Sequence, residues 1–173
     1  MSPPLPSPAT ATSDPAQAFV AYLDYFRDAA RRKVADLDDR ALRESRLPSG
    51  WSPIELISHL VHMEQRWFVW GFLGEQVGEP WGDNVDGIGS GVWATDRTLD
   101  DLLAALDEGG RRTTEIVATN DLHDHAATGG RFPEGEPTPT LIAILFHVMQ
   151  EYARHLGHLD IVRELIDGET GED

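Results

Sequence analysis

The sequence predicts an all-α protein, a four-helix bundle whose helices are joined by long glycine-rich connections. Three observations carry that prediction. Apolar residues recur three and four apart in four separate stretches, each opened by a helix-capping signal. No stretch alternates apolar and polar residues convincingly enough for a strand. Between the later stretches lie segments dense in glycine and proline, where regular structure stops.

In chain order, the first 13 residues are rich in proline and small side chains and hold no aromatic ring, so a disordered tail is expected there, with one domain over 14–173. Asp14 is the expected N-cap of the first helix and Pro15 fits its first turn; Phe19, Leu23, Phe26, Ala30 and Val34 repeat at helical spacing to about Leu37. The charged stretch 38–50 ends in Pro48-Ser49-Gly50 and reads as a loop. Ser52-Pro53-Ile54-Glu55 has the form of a capping box with proline at the first helical position, so a second helix opens there. Its stripe is Leu56, Leu60, Met63, Trp67 and Trp70, its end is near Leu73-Gly74, and His59 lies at the stripe's edge.

The connection over 74–96 holds six glycines together with Trp81 and Trp93. That is long for a compact domain and reads as a lid or crossover, with the two tryptophans as candidates to line a pocket. Thr98 begins a third helix with Leu99, Leu102, Leu103 and Leu106 as its apolar face and Ile116 and Val117 further on. Gly109-Gly110 inside it predicts a bend, since each glycine costs about 1 kcal/mol in a helix interior. After a second glycine- and proline-rich connection over 128–137, Thr138-Pro139 starts the last helix and Gly168 closes it, a length of about 43 Å at the standard rise.

A chain of 173 residues with 40% hydrophobic content can close a real core. Its formal net charge of −16 repels polyanions, which argues against nucleic acid or an anionic membrane surface as partner. No window approaches the roughly 18 apolar residues of a membrane span, and the N-terminus lacks a basic-then-apolar signal, so a soluble cytoplasmic protein is expected. There is no cysteine. Any sulfur chemistry must therefore use an external thiol.

The last helix carries the most informative pattern. Written as heptads, one seam is Leu141, Val148, His155 and Val162, and the other is Ile144, Glu151, His158 and Leu165. Glu151 and His155 interrupt an apolar face one turn apart. A carboxylate and an imidazole buried side by side need a partner, and a divalent metal would satisfy both. A third ligand has to come from another helix, where His59 is the natural candidate, completing a His2Glu set with positions left for water or substrate. Two plainer readings stand beside this one: Glu151 pairing with Arg154 on a solvated face, and His155 as a core histidine donating to a backbone carbonyl.

His62 and His158 each lie three residues from a proposed ligand and are candidates for a fourth ligand or a proton shuttle, with an ordinary surface residue as the plainer alternative. Arg154 and Arg163 are candidates to hold a substrate carboxylate by paired hydrogen bonds, with ion pairs as the alternative. His147 falls on the polar edge of the last helix, and His123 and His125 belong to a loop; all three read as surface residues.

The segment Trp51-Ser52-Pro53-Ile54-Glu55-Leu56-Ile57-Ser58-His59-Leu60, with Glu64 following, resembles the second-helix motif of the DinB-like superfamily. The segment Glu151-Tyr152-Ala153-Arg154-His155-Leu156-Gly157-His158-Leu159-Asp160, running on through Arg163-Glu164 to Asp167-Gly168, resembles its last-helix motif. The nearest branch is that of the mini-circle protein. The resemblance implies a four-helix bundle with a divalent metal held between helices. Many members carry H-x-x-x-H in the last helix where this chain has Glu151 first, a departure similar to the two-histidine, one-glutamate zinc site of mycothiol-dependent maleylpyruvate isomerases. Carried over, those ligands fall on His59, Glu151 and His155.

The resemblance further implies transfer of mycothiol, or a related low-molecular-weight thiol, onto a small electrophile, with zinc the expected ion and nickel or iron compatible with these donors. In that reading His158 or His62 moves protons, Arg154 contacts the cofactor or substrate, and the chain forms a homodimer through apolar residues on its first and third helices. Metal-assisted hydrolysis on the same scaffold and a non-catalytic, metal-braced binding or dimerisation bundle are the alternatives.

Overall fold

The computed structural model describes residues 12–170, so all but Thr12 and Ser13 of the expected N-terminal tail lies outside the described residues. Those residues form helices α1 (Pro15–Val34), α2 (Asp39–Arg43), α3 (Pro53–Glu64, continued by π-helical turns over Gln65–Phe72), α4 (Leu99–Thr119) and α5 (Leu141–Asp167), and no strand longer than an isolated bridge. α1, α3, α4 and α5 make the bundle. α1 and α3 each pack on both α4 and α5 and touch one another less, so they sit across a diagonal. Leu23, Leu56, Leu60, Leu106, Ile144, Val148 and Leu159 fill the space between the helices and are fully or almost fully buried.

The caps act where the residues said they would. The Asp14 carboxylate accepts from Ala16 N at 2.9 Å, the Glu55 carboxylate accepts from Ser52 N at 2.8 Å, and Thr98 Oγ1 accepts from Asp101 N at 3.2 Å. Gly168 closes α5 with φ of 80°, a left-handed conformation that glycine adopts without a Cβ penalty.

Several boundaries depart from the pattern for identifiable reasons. α1 stops at Val34, where Arg163 Nη1 donates to the carbonyl of Lys33 at 2.7 Å and satisfies one of the orphan acceptors of the helix end. The stretch expected as a loop contains α2 because Asp38 caps it, accepting from Ala41 N at 2.7 Å, and Leu42 anchors it in the core. α5 begins at Leu141, not at 138–139, because Ala126 N donates to Pro139 O at 2.8 Å and a bridge pairs His125 with Thr140, which holds 138–140 extended.

Beyond Glu64 the second helix widens: Leu73 N bonds Phe68 O, five residues back, at 3.0 Å. The wider turn rotates the later side chains. Phe68 and Phe72 enter the core, while Trp67 and Trp70 of the predicted stripe are only half-buried. The seam of α5 drifts in a similar way. Leu141, Val148, His155 and Val162 are all buried, but the second seam leaves the core: Leu165 is 55% exposed, and Leu145, Tyr152 and Leu159 are buried in its place. A straight helix of 3.6 residues per turn slips past a strict seven-residue repeat by about 20° per heptad.

α4 is continuous through Gly109-Gly110. A Cβ on Gly110 would stand 3.1 Å from the guanidinium of Arg27, and one on Gly109 would stand 3.4 Å from the carboxylate of Glu64. The glycines make room for a buried ion pair instead of bending the helix. Among the described residues the exposed large apolar side chains are Val85, Ile88 and Val92 in the α3–α4 connection and Phe146, Ile161 and Leu165 on α5, not on the first and third bundle helices where the dimer expectation put them. Among the described residues no helix is long and apolar enough to cross a membrane.

Candidate metal centre

Two turns into α3, His59 faces α5 across the bundle, and on α5 Glu151 and His155 project from one face. One ligand atom from each of the three lies within 4.8 Å of the others. Two ligands on opposite sides of one ion stand at most about 4.4 Å apart, so the cluster is close to the spacing of a coordinated set. His155 Nε2 is 3.0 Å from Glu151 Oε2, and the rings of His59 and His155 meet edge to face with centroids 4.8 Å apart.

The hydrogen bonds at this cluster are incomplete in an informative way. His59 Nδ1 is bonded to Asp83 Oδ2 at 2.9 Å, which assigns the ring proton to Nδ1 and leaves Nε2 with its lone pair; that Nε2 is buried without a partner. His155 Nδ1 is likewise buried and unpartnered. No carbonyl satisfies His155, so it is not an ordinary core histidine. Glu151 pairs with His155 and, at 3.7 Å, with His147, and not with Arg154. These donors and lone pairs suit a borderline divalent ion that accepts imidazole and carboxylate.

Asp83 comes from the glycine-rich connection and is completely buried. It receives Arg66 Nη1 at 2.6 Å, Arg66 Nη2 at 3.1 Å and Asn84 Nδ2 at 2.9 Å in addition to the His59 ring. Burial alone would raise its pKa, but the hydrogen bonds from His59 and Arg66 and the Arg66 charge hold the carboxyl far below the ordinary carboxylate range. The connection folds back on itself through Val85 N to Val92 O and Ala94 N to Asp83 O, both 2.9 Å. That return lays Trp93 on the His59 ring at a centroid distance of 4.2 Å and an angle of 18°.

The electrostatics follow from this packing. Burial presses His59 toward its neutral, ligand-competent form, and the hydrogen bond from His155 holds the Glu151 carboxyl below its ordinary value. His158 stands at the rim, its ring 5.6 Å from His155 and 6.3 Å from Trp51, and burial followed by the charges of His155 and Arg154 lowers its pKa as well.

Not every candidate converges. His62 lies on the α4 side of the second helix, where Nδ1 bonds Ser58 O at 2.9 Å and the ring lines a cavity of about 390 Å³ with Glu64, Arg97 and Gly109; none of the three clustered residues lines that cavity. Arg154 is exposed. Arg163 is buried and spent on structure, bonded to Asp36, Asp167, Glu169 and the Lys33 carbonyl, so it is not a substrate clamp.

The sequence reading missed Asp83, Arg66 and the role of His147. His147, Glu151 and His155 are spaced four apart on one helix face, a signal that was available. Asp83 and Arg66 carry no such local signal, because their pairing depends on how the connection returns.

With the geometry in place, comparison with known proteins adds one finding: a protein family described as Mycothiol-S-transferase matches residues 18–168 of the chain. No curated protein matches it at a significant level.

Proposed function

Because the chain belongs to the mycothiol-S-transferase family, we propose that it is a metal-dependent transferase that joins mycothiol, or a related low-molecular-weight thiol, to a small electrophile. The observation that carries the metal part of this reading is the convergence of His59, Glu151 and His155 within 4.8 Å around ring nitrogens that have no protein partner. Zinc is the proposed ion, held by those three side chains, and when bound it would lower the pKa of a ligating thiol so that thiolate is present at neutral pH.

The chain's own residues then divide the remaining work. Asp83 fixes the His59 ring so that Nε2 faces the cluster, and Arg66 fixes Asp83. Trp93 covers the His59 face and keeps water from it. His158, its pKa lowered by burial at the rim, accepts the proton that the thiol gives up when it becomes thiolate, and returns it to the product or the leaving group once the sulfur–carbon bond has formed. His62 has no part in this scheme, since it lines a different cavity.

Elemental analysis of protein purified from metal-supplemented growth, followed by labelled mycothiol transfer, tests the proposal. About one equivalent of divalent metal and thiol incorporation into an electrophile are expected. Protein without stoichiometric metal would remove its basis, and ester or amide turnover without thiol incorporation would favour hydrolysis.

A further inference from the structure

The connection between α4 and α5 docks on the π-helical end of the second helix. The wide turn leaves carbonyls free, and two are taken up by the connection: Ala127 N donates to Phe72 O at 2.8 Å and Arg131 N to Trp70 O at 3.0 Å. The approach is so close that a Cβ on Gly130 would meet Trp70 O at 2.2 Å, so only glycine permits it. Arg131 is thereby pinned with its guanidinium carbon 4.0 Å over the Trp67 ring and 5.8 Å from Trp81. His147 also contacts Trp67, at a centroid distance of 4.2 Å, and in turn reaches Glu151 at 3.7 Å.

Arg131 makes no ion pair among the described residues, and its Nη1 is buried with no hydrogen-bond partner. Scarcity of carboxylates does not explain this, since the chain carries 30 acidic residues against 14 basic ones. Arg27, Arg31, Arg66, Arg112 and Arg163 all hold a carboxylate, and Arg66, the other cation on Trp81, is occupied by Asp83. A stacked aromatic face offsets part of the cost of a half-buried cation without a carboxylate, but it gives the donors of the guanidinium fork no hydrogen-bond acceptor. Such a fork is shaped for a carboxylate.

We propose that Arg131, held against Trp67 and linked through Trp67 and His147 to Glu151 of the cluster, is the recognition residue for a carboxylate on a small-molecule ligand. It rests on the transferase reading only in giving that ligand a role, as acceptor or as thiol. The recognition itself stands on the unpaired guanidinium.

The test is tryptophan fluorescence, since Trp67 flanks the guanidinium, titrating the metal-loaded protein with two matched pairs. Benzoate against benzamide represents the acceptor, and N-acetylcysteine against its amide represents a low-molecular-weight thiol that carries a free carboxylate. At least tenfold tighter binding of the charged member is expected in one pair, which identifies the source of the carboxylate. Arg131→Gln should abolish that preference and Arg131→Lys should retain part of it, both with melting temperatures near wild type. His155→Ala, which removes an ion ligand, should keep the preference, so carboxylate binding through the metal is separated from binding through Arg131. Equal affinity within both pairs, or a preference that survives in Arg131→Gln, would overturn the proposal. Neither result depends on whether thiol transfer is observed.

Discussion

The same two helices, α3 and α5, carry two buried polar clusters one turn apart, and they are built on opposite principles. In the first, Glu64 accepts from Arg27 Nε at 2.7 Å, Arg27 Nη2 at 3.0 Å, Thr113 Oγ1 at 3.1 Å and the Tyr152 hydroxyl. Each carboxylate oxygen is answered twice, and the guanidinium is also met by Asp24 at 2.7 Å. In the second, His59, Glu151 and His155 converge with two ring nitrogens unanswered. The closed cluster ties α1, α3, α4 and α5 together. The open one has coordination left to give. Burial of a polar group alone does not mark a functional site; several donors of ligand type converging with partners withheld point to one.

The sharpest way to break this comparison is to remove a member of the open cluster. His155→Ala is expected to reduce bound metal from about one equivalent to near zero and thiol transfer to background. Stripped of metal, wild type and variant should unfold within about 2 kcal/mol of each other, because the metal-free ring already leaves a buried nitrogen unsatisfied. Elemental analysis and denaturant unfolding read both, and a variant that keeps its metal would show that the cluster is not the site.

The closed cluster should respond in the reverse sense. Glu64→Ala strands Arg27 in the core and is expected to cost about 3–5 kcal/mol of unfolding free energy while the folded protein still takes up metal. Loss of metal at unchanged stability would merge the two clusters into one.

Asp83 belongs to neither category alone, since it is fully bonded itself yet serves the open cluster by orienting His59. Asp83→Asn is expected to weaken metal affinity about 10–100-fold, measured by competition with a chelator. An unchanged affinity would mean that the ring needs no such guide.

The smallest effect is expected at the Arg163 cluster, which is ion-paired and reaches the surface. The hydrogen bond from Arg163 holds the exposed Asp36 carboxyl below its ordinary value. A depressed folded-state pKa contributes stability above the unfolded-state value near 3.8 and loses it as pH falls through the folded one. Asp36→Asn should therefore be slightly less stable than wild type at pH 7, by under about 1 kcal/mol given its exposure, with the two curves converging below pH 4. A gap that persists at acid pH would assign the effect to packing.

How much of this was legible from the residues varies with the range of the interaction. The Ser52/Glu55 box, the Asp14 and Thr98 caps and the Gly168 stop depend on neighbours within one turn, and all four signals are met in the helices. Glu151 and His155 were found the same way, four apart on an apolar seam. The π-helical turns were not legible, because nothing in Gln65–Phe72 forbids an ordinary helix; the wide turn is met by the docking of residues 127–131 on its carbonyls. Gly109-Gly110 predicts a bend that does not form, because Arg27 and Glu64, distant in the chain, occupy the space beside it.

By itself the sequence determined the capped starts of α1, α3 and α4, the glycine stop of α5 and the seam that turns His155 inward beside Glu151, since these follow from local capping and a period of 3.6 residues. The tertiary structure alone decided which polar groups find partners. Arg163 and Arg131 are the same side chain, yet one meets Asp36, Asp167 and a helix-end carbonyl while the other meets only the faces of tryptophans. That difference comes from how distant segments dock, and no spacing along the chain encodes it.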